Sequence, residues 1–127
     1  MIKVIIDRAK WDRGFVNMSS RALLNNKGGK CCLGFVCNAL GISDKEICEV
    51  EAPANLAEYN TNIYSTISSL ICKVGKYTFS HNNFVSKVIK DNDDPYLSDP
   101  EREKLIAANL AACGFDVEFI GEGLWKP

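Results

Sequence analysis

The segment 31-CCLGFVCNAL-40 sets apolar or small residues on nearly every side of a helix. A helix that is apolar all round cannot rest on a surface, so the remainder of the chain must close around it. The preceding 25-NNKGGK-30 reads as a turn, and Gly41 stands where a helix C-cap belongs. At 127 residues the chain is long enough to bury such a helix in one domain, 1–127, without covalent staples.

Around this helix the pattern predicts a modest set of elements. Lys3 to Ile6 reads as a short strand, with Asp7 capping a brief helical turn through Trp11. Arg21 to Leu24 is a second strand candidate. The capping-box pattern 43-SDKE-46 starts a short helix ending near Cys48. Residues 49–62 read as a loop. The spacing of Ile63, Ile67, Leu70, Ile71 and Val74 predicts a helix ending at Gly75, and Lys76 to Phe79 a strand. Ser80 caps a helix through Phe84, Val85, Val88 and Ile89. After the acidic turn 91-DNDDPYLSDP-100, Ser98 and Glu101 form a second capping box, opening a helix to Cys113 with Gly114 as its C-cap. Finally 115-FDVEFI-120 alternates as a strand with Phe115, Val117 and Phe119 inward. The expected fold is α+β, a small mostly antiparallel sheet with three to five helices, one buried and starting at the Cys-Cys pair.

Several classes of protein are disfavoured. No apolar run approaches the about 20 residues that span a bilayer. Lys3, Asp7 and Arg8 interrupt the start of the chain where a signal peptide would be apolar, so a cytoplasmic protein is expected. In that compartment the six cysteines are expected as reduced, mostly buried thiols. A metal site is not expected: there is no C-x-x-C, and His81 is the only histidine. Residues 1–30 carry seven Lys/Arg against two Asp, a net +5, and residues 31–127 a net −6. Neither part is basic enough for duplex nucleic acid.

Two formal motifs break down. A P-loop would need glycine at Leu24 and Ser or Thr at Cys31. An EF-hand over residues 91–102 would need glycine at Tyr96 and glutamate at Arg102. What remains is a Gly28-Gly29-Lys30 turn delivering amides to a helix N-terminus at Cys31, Cys32 and Gly34. That geometry can bind phosphate or carboxylate. Arg13 and Arg21 can add forked contacts, and Trp11, Tyr77 or Tyr96 can stack on a base.

The pattern C-L-G-F-V at Cys32–Val36 resembles the D-C-S-G-F-V motif of papain-like cell-wall cysteine peptidases. That resemblance implies Cys32 as nucleophile and His81 as base, although Cys31 stands in place of the Asp and Leu33 in place of the Ser. A wider likeness rests on W-x-R-G at Trp11–Gly14, K-C-C-L-G-F at Lys30–Phe35, N-D-D at Asn92–Asp94, S-D-x-E-R-E at Ser98–Glu103 and G-x-x-V-E-F at Gly114–Phe119. In this it resembles a family of small bacteriophage proteins, which implies a viral origin and an accessory role in the host cytoplasm.

The leading expectation is therefore a phage accessory protein that sequesters a small anionic, nucleotide-like ligand, a signal of host defence. Its binding residues would be Trp11, Arg13, Arg21, Gly28, Gly29, Lys30, Cys31, Cys32 and Gly34, with no cofactor and no membrane. A pocket of this kind can form between subunits, so a homo-oligomer is expected. The alternatives are a cysteine hydrolase using Cys32 and His81, and a protein–protein inhibitor of a host factor.

Overall fold

A computed structural model describes residues 1–13, 22–50 and 83–126. The elements are β1 (Ile2–Asp7), α1 (Cys32–Ala39), α2 (Asp44–Ile47), α3 (Asn83–Asp93), α4 (Asp99–Ala111) and β2 (Phe115–Ile120). The fold is α+β. Helix α1 packs against β1, α4 against β2, and α3 against both α1 and α4.

Strands β1 and β2 pair in parallel, Ile2 opposite Phe115 through Asp7 opposite Ile120. This corrects the expected antiparallel sheet. Alternation fixes which face is buried but is silent on strand direction, and a parallel pair needs a long crossover between its strands. Here everything between Asp7 and Phe115 is that crossover. Val4, Ile6 and Phe115 are fully buried, with Val117 and Phe119 packed against the same core. On the other face Lys3 Nζ lies 3.0 Å from Glu118 and 3.4 Å from Asp116.

Helix α1 buries every residue from Cys32 to Cys37. It ends in a Schellman arrangement: Ile42 N–H donates to Cys37 O at 3.0 Å and Gly41 N–H to Asn38 O at 3.0 Å. Gly41 there takes φ +87°, a conformation costly for any residue with a Cβ. Both predicted capping boxes form, Ser43 with Glu46 on α2 and Ser98 with Glu101 on α4.

Two local expectations are replaced. Asp7 does cap the segment, its Oδ1 accepting from Ala9 N–H and its carbonyl from Lys10 N–H, both at 3.0 Å, but what it caps is a single tight turn rather than a helical one. Leu24 makes isolated bridges to Lys30 and Cys48 rather than belonging to a strand. The loop, helix and strand expected over 49–79 fall largely outside the described residues, as do Arg21 and His81.

Candidate functional site

The tight turn after β1 delivers Trp11 beside Lys30, with Asp12 N–H donating to Lys30 O at 2.8 Å and Lys30 N–H to Lys10 O at 2.9 Å. Every other amide of the glycine turn has an acceptor within the protein. Gly28 N–H donates to Asn25 O at 3.1 Å, Gly29 N–H to Asn25 Oδ1 at 3.0 Å, and Cys31 N–H to Leu23 O at 3.1 Å. Cys32 N–H, the first of α1, donates to Asn92 Oδ1 of α3 at 3.1 Å. The turn is also covered. A Cβ on Gly29 would lie 2.5 Å from the Trp125 ring, and one on Gly34 would lie 2.1 Å from Leu23 O.

Lys30 runs along α1 away from its N-terminus. Its ammonium meets Asn38 Oδ1 at 2.5 Å and Asp44 Oδ1 at 2.9 Å, and lies 5.0 Å from the centre of the Phe35 ring. The hydrogen bond from Lys30 holds the Asp44 carboxyl below its usual range. Glycines, lysine and helix end are thus brought together, but with their polar groups already engaged.

The thiols are held neutral. Burial pushes Cys31 and Cys37 up to about 12 and Cys32 well above its ordinary value. At Cys31 the Gly34 and Leu33 amides pull the other way without prevailing. A nucleophile at neutral pH needs the reverse, a lowered pKa and an accessible sulfur, whereas Cys32 is completely buried. Among the described residues no cluster of His, Cys, Asp and Glu could hold a metal ion.

Asn92 is the pivot between this turn and a second group of charges. Its Oδ1 accepts from Trp11 Nε1 at 2.7 Å as well as from Cys32, and its Nδ2 donates to Asp12 O at 3.1 Å. Trp11 is 1% exposed and lies against Phe119, so it is a core side chain with no face left for a ligand base. Arg13 covers it, with the guanidinium carbon 4.1 Å from the ring centre.

Arg13 is 3% exposed and Arg102 is 1% exposed, and both reach one oxygen of one carboxylate. Asp99 Oδ1 accepts from Arg102 Nη1 at 2.7 Å and lies 3.1 Å from Arg13 Nε. The Arg13 contact lacks hydrogen-bond geometry, leaving that buried Nε without a hydrogen-bond acceptor. Among the described residues the one hydrogen bond Arg13 donates is from Nη1 to Trp11 O, at 3.3 Å. Burial lowers the Arg13 pKa from its ordinary value, and neighbouring Arg102 and Arg8 add to this against Asp99 and Glu103. Next to the cluster, Arg8 grips Glu103 in a forked pair at 2.7 and 3.0 Å. Among the described residues two buried guanidiniums thus meet on one oxygen of Asp99, with Glu103 acting on Arg13 from nearby, and buried charges of this kind are costly unless well paired.

The sequence reading singled out Arg13 and placed Asp99, Arg102 and Asn92 only within motifs, without their contacts to Arg13 and Trp11. One signal was present for Arg102. It stands at the head of the stripe Arg102, Ile106, Leu110 that α4 buries, a cation at a core-facing position.

What fold and cluster define is an α+β protein with two buried arginines sharing one carboxylate. No protein-family model matches the chain, and neither a curated protein nor a solved structure does.

Proposed function

We propose that this chain is a phage accessory protein that binds a small anionic, nucleotide-like ligand in the host cytoplasm, with Arg13 as its principal cation. By binding without turnover, it would lower the free concentration of a nucleotide-derived defence signal. The observation that carries the reading is the state of Arg13 among the described residues: buried, with its Nε lacking a hydrogen-bond acceptor, and lying on the same Asp99 oxygen as Arg102. A phosphate or carboxylate from outside would add negative charge beside Arg13 and accept from the guanidinium, whose Nε has no acceptor among the described residues.

Support also comes from where the phage-like motifs lie. Although scattered along the chain, they meet in space: Trp11 and Cys32 on Asn92, Arg13 and Arg102 on Asp99, and Phe119 against Trp11. The ligand therefore belongs at the Arg13 end of this network rather than at the Gly28–Lys30 turn, whose amides have acceptors. The cysteine-hydrolase alternative gains no support from a buried, protonated Cys32.

Titration calorimetry with inorganic phosphate, cyclic nucleotides, dinucleotides and ADP-ribose derivatives tests this, alongside native mass spectrometry for self-association. At least one phosphate should bind the wild type, and Arg13→Met should weaken it by about 2–5 kcal/mol. Because an apolar residue replaces an imperfectly paired buried cation, the Arg13→Met melting temperature should stay level or rise. No binding by any phosphate, or binding indifferent to Arg13→Met, would sink the reading.

A further inference from the structure

The turn between α3 and α4 presents an aromatic ring in an unusual way. Tyr96 is 95% exposed. A lone exposed aromatic is common and means little by itself; here the backbone beneath it is fixed from several directions. Leu97 N–H donates to Asp94 O at 3.4 Å, closing a β-turn across Asp94-Pro95-Tyr96-Leu97. Pro95 occupies its second position, where the ring presets φ. Asp94 Oδ1 accepts from Tyr96 N–H at 2.9 Å, bracing the turn from inside.

The turn also stands on the arginine cluster. Arg102 Nη2 donates to the carbonyls of both Asp94 and Leu97, the first and last residues of the turn. The same guanidinium donates to Asp99, the carboxylate it shares with Arg13. One buried side chain thus fixes the base of the Tyr96 turn and adjoins the cation proposed to hold phosphate. Tyr96 is three residues from Asp99, which limits their Cα separation to about 10 Å.

We propose that Tyr96 is the specificity-determining residue of the site, stacking on the base of a nucleotide whose phosphate is held at Arg13. This rests on the anion-binding reading above and deepens it: the ligand class is an aromatic nucleotide rather than a sugar phosphate or free phosphate. With the backbone beneath it already fixed, the ring gives up only its own side-chain rotation on binding, so its stacking contributes to affinity. Stacking works on any base face, which predicts tolerance between purine and pyrimidine.

The test uses the full chain and three probes by calorimetry: AMP, UMP and ribose 5-phosphate. Both nucleotides should bind the wild type about tenfold or more tighter than ribose 5-phosphate, the size of one base-stacking contact. Tyr96→Ala should bring that ratio close to one while leaving ribose 5-phosphate affinity unchanged, and Tyr96→Phe should preserve the ratio. If ribose 5-phosphate binds as well as AMP in the wild type, or the ratio survives Tyr96→Ala, the stacking role is wrong while anion binding stands. If none of the three binds, the stacking role is wrong, and anion binding falls with it only where the wider panel of phosphates also fails to bind.

Discussion

The Gly28–Cys32 turn and the Arg13–Asp99–Arg102 cluster are joined through Asn92 and Asp12 yet treat polar groups in opposite ways. In the turn, each backbone N–H from Gly28 to Cys32 has a protein acceptor, and Lys30 balances Asp44 one for one. In the cluster, two buried guanidiniums share one oxygen of a carboxylate that is itself 41% exposed. A buried polar group that is fully satisfied rigidifies a fold, and one that is incompletely satisfied is either a liability or a place for a ligand. We therefore read the glycine-rich turn, which looks like a binding motif, as scaffold. The inconspicuous arginine is the better candidate for function.

If the turn is scaffold, altering it should damage stability first. The largest effect is expected for Gly34→Ala, whose Cβ would sit 2.1 Å from Leu23 O and 2.4 Å from Lys30 Cγ. The lysine stem can shift, but the Leu23 carbonyl is backbone, so a loss of about 3 kcal/mol or more is expected by urea denaturation. Gly28→Ala meets no atom within 4 Å and suffers only its φ of +89°, about 1 kcal/mol. Equal losses for the two would mean that close packing does not explain the Gly34 position.

Asn92→Ala should follow closely, at about 3 kcal/mol. It strips acceptors from Trp11 Nε1 and Cys32 N–H and a donor from Asp12 O, each about 1–3 kcal/mol when left unmet, with water entering the gap to recover part. Ligand affinity should fall too, because Asn92 links the elements carrying Arg13 and α1. A destabilised variant with unchanged affinity would show the two regions to be independent.

The thiols of α1 sharpen the contrast through pH. Cys31, Cys32 and Cys37 stay protonated in the folded chain because burial raises their pKa values, whereas unfolded thiols ionise near about 8.5. Their stabilising contribution is complete below that pH and is lost as pH rises toward the folded values, about 12 for Cys31 and Cys37. In that window each thiol should lower stability by up to about 1.4 kcal/mol per pH unit. Urea midpoints measured under reducing conditions from pH 7 to 10 read this directly. A flat profile would mean that none of the three thiols is held above its unfolded pKa, which would revive Cys32 as a nucleophile.

Much of the fold was legible because its causes are local. The apolar circumference of α1, Gly41 after it, and the pairs Ser43/Glu46 and Ser98/Glu101 each act within a few residues. The direction of β2 was not, since alternation in Phe115–Ile120 is identical for either orientation. Nor was the use of the turn amides, whose acceptors include Lys10 O, Leu23 O and an asparagine 60 positions from Cys32. For the site, Arg13 could be suspected from charge alone. That it shares Asp99 emerges only when α4 brings Arg102 to the same carboxylate oxygen.

The smallest expected effect falls on the balanced pair. In Asp44→Asn the amide oxygen can still accept from Lys30, so only the negative charge is removed. Asp44 is 59% exposed and its charge is screened, while Lys30 retains Asn38 and the Phe35 face. A loss of about 1 kcal/mol or less is expected at pH 7, shrinking as salt is added. Because the folded Asp44 carboxyl is held below its usual range, the wild-type advantage should persist above about pH 4 and vanish as the pH falls through the folded value. Affinity for the phosphate probes should be unchanged, since Lys30 points along α1 toward Asn38. A loss of several kcal/mol, or one insensitive to salt, would show the Lys30–Asp44 pair to act as a buried ion pair rather than a screened one. A fall in phosphate affinity would go further, returning the ligand to the glycine turn and dissolving the distinction between the two regions.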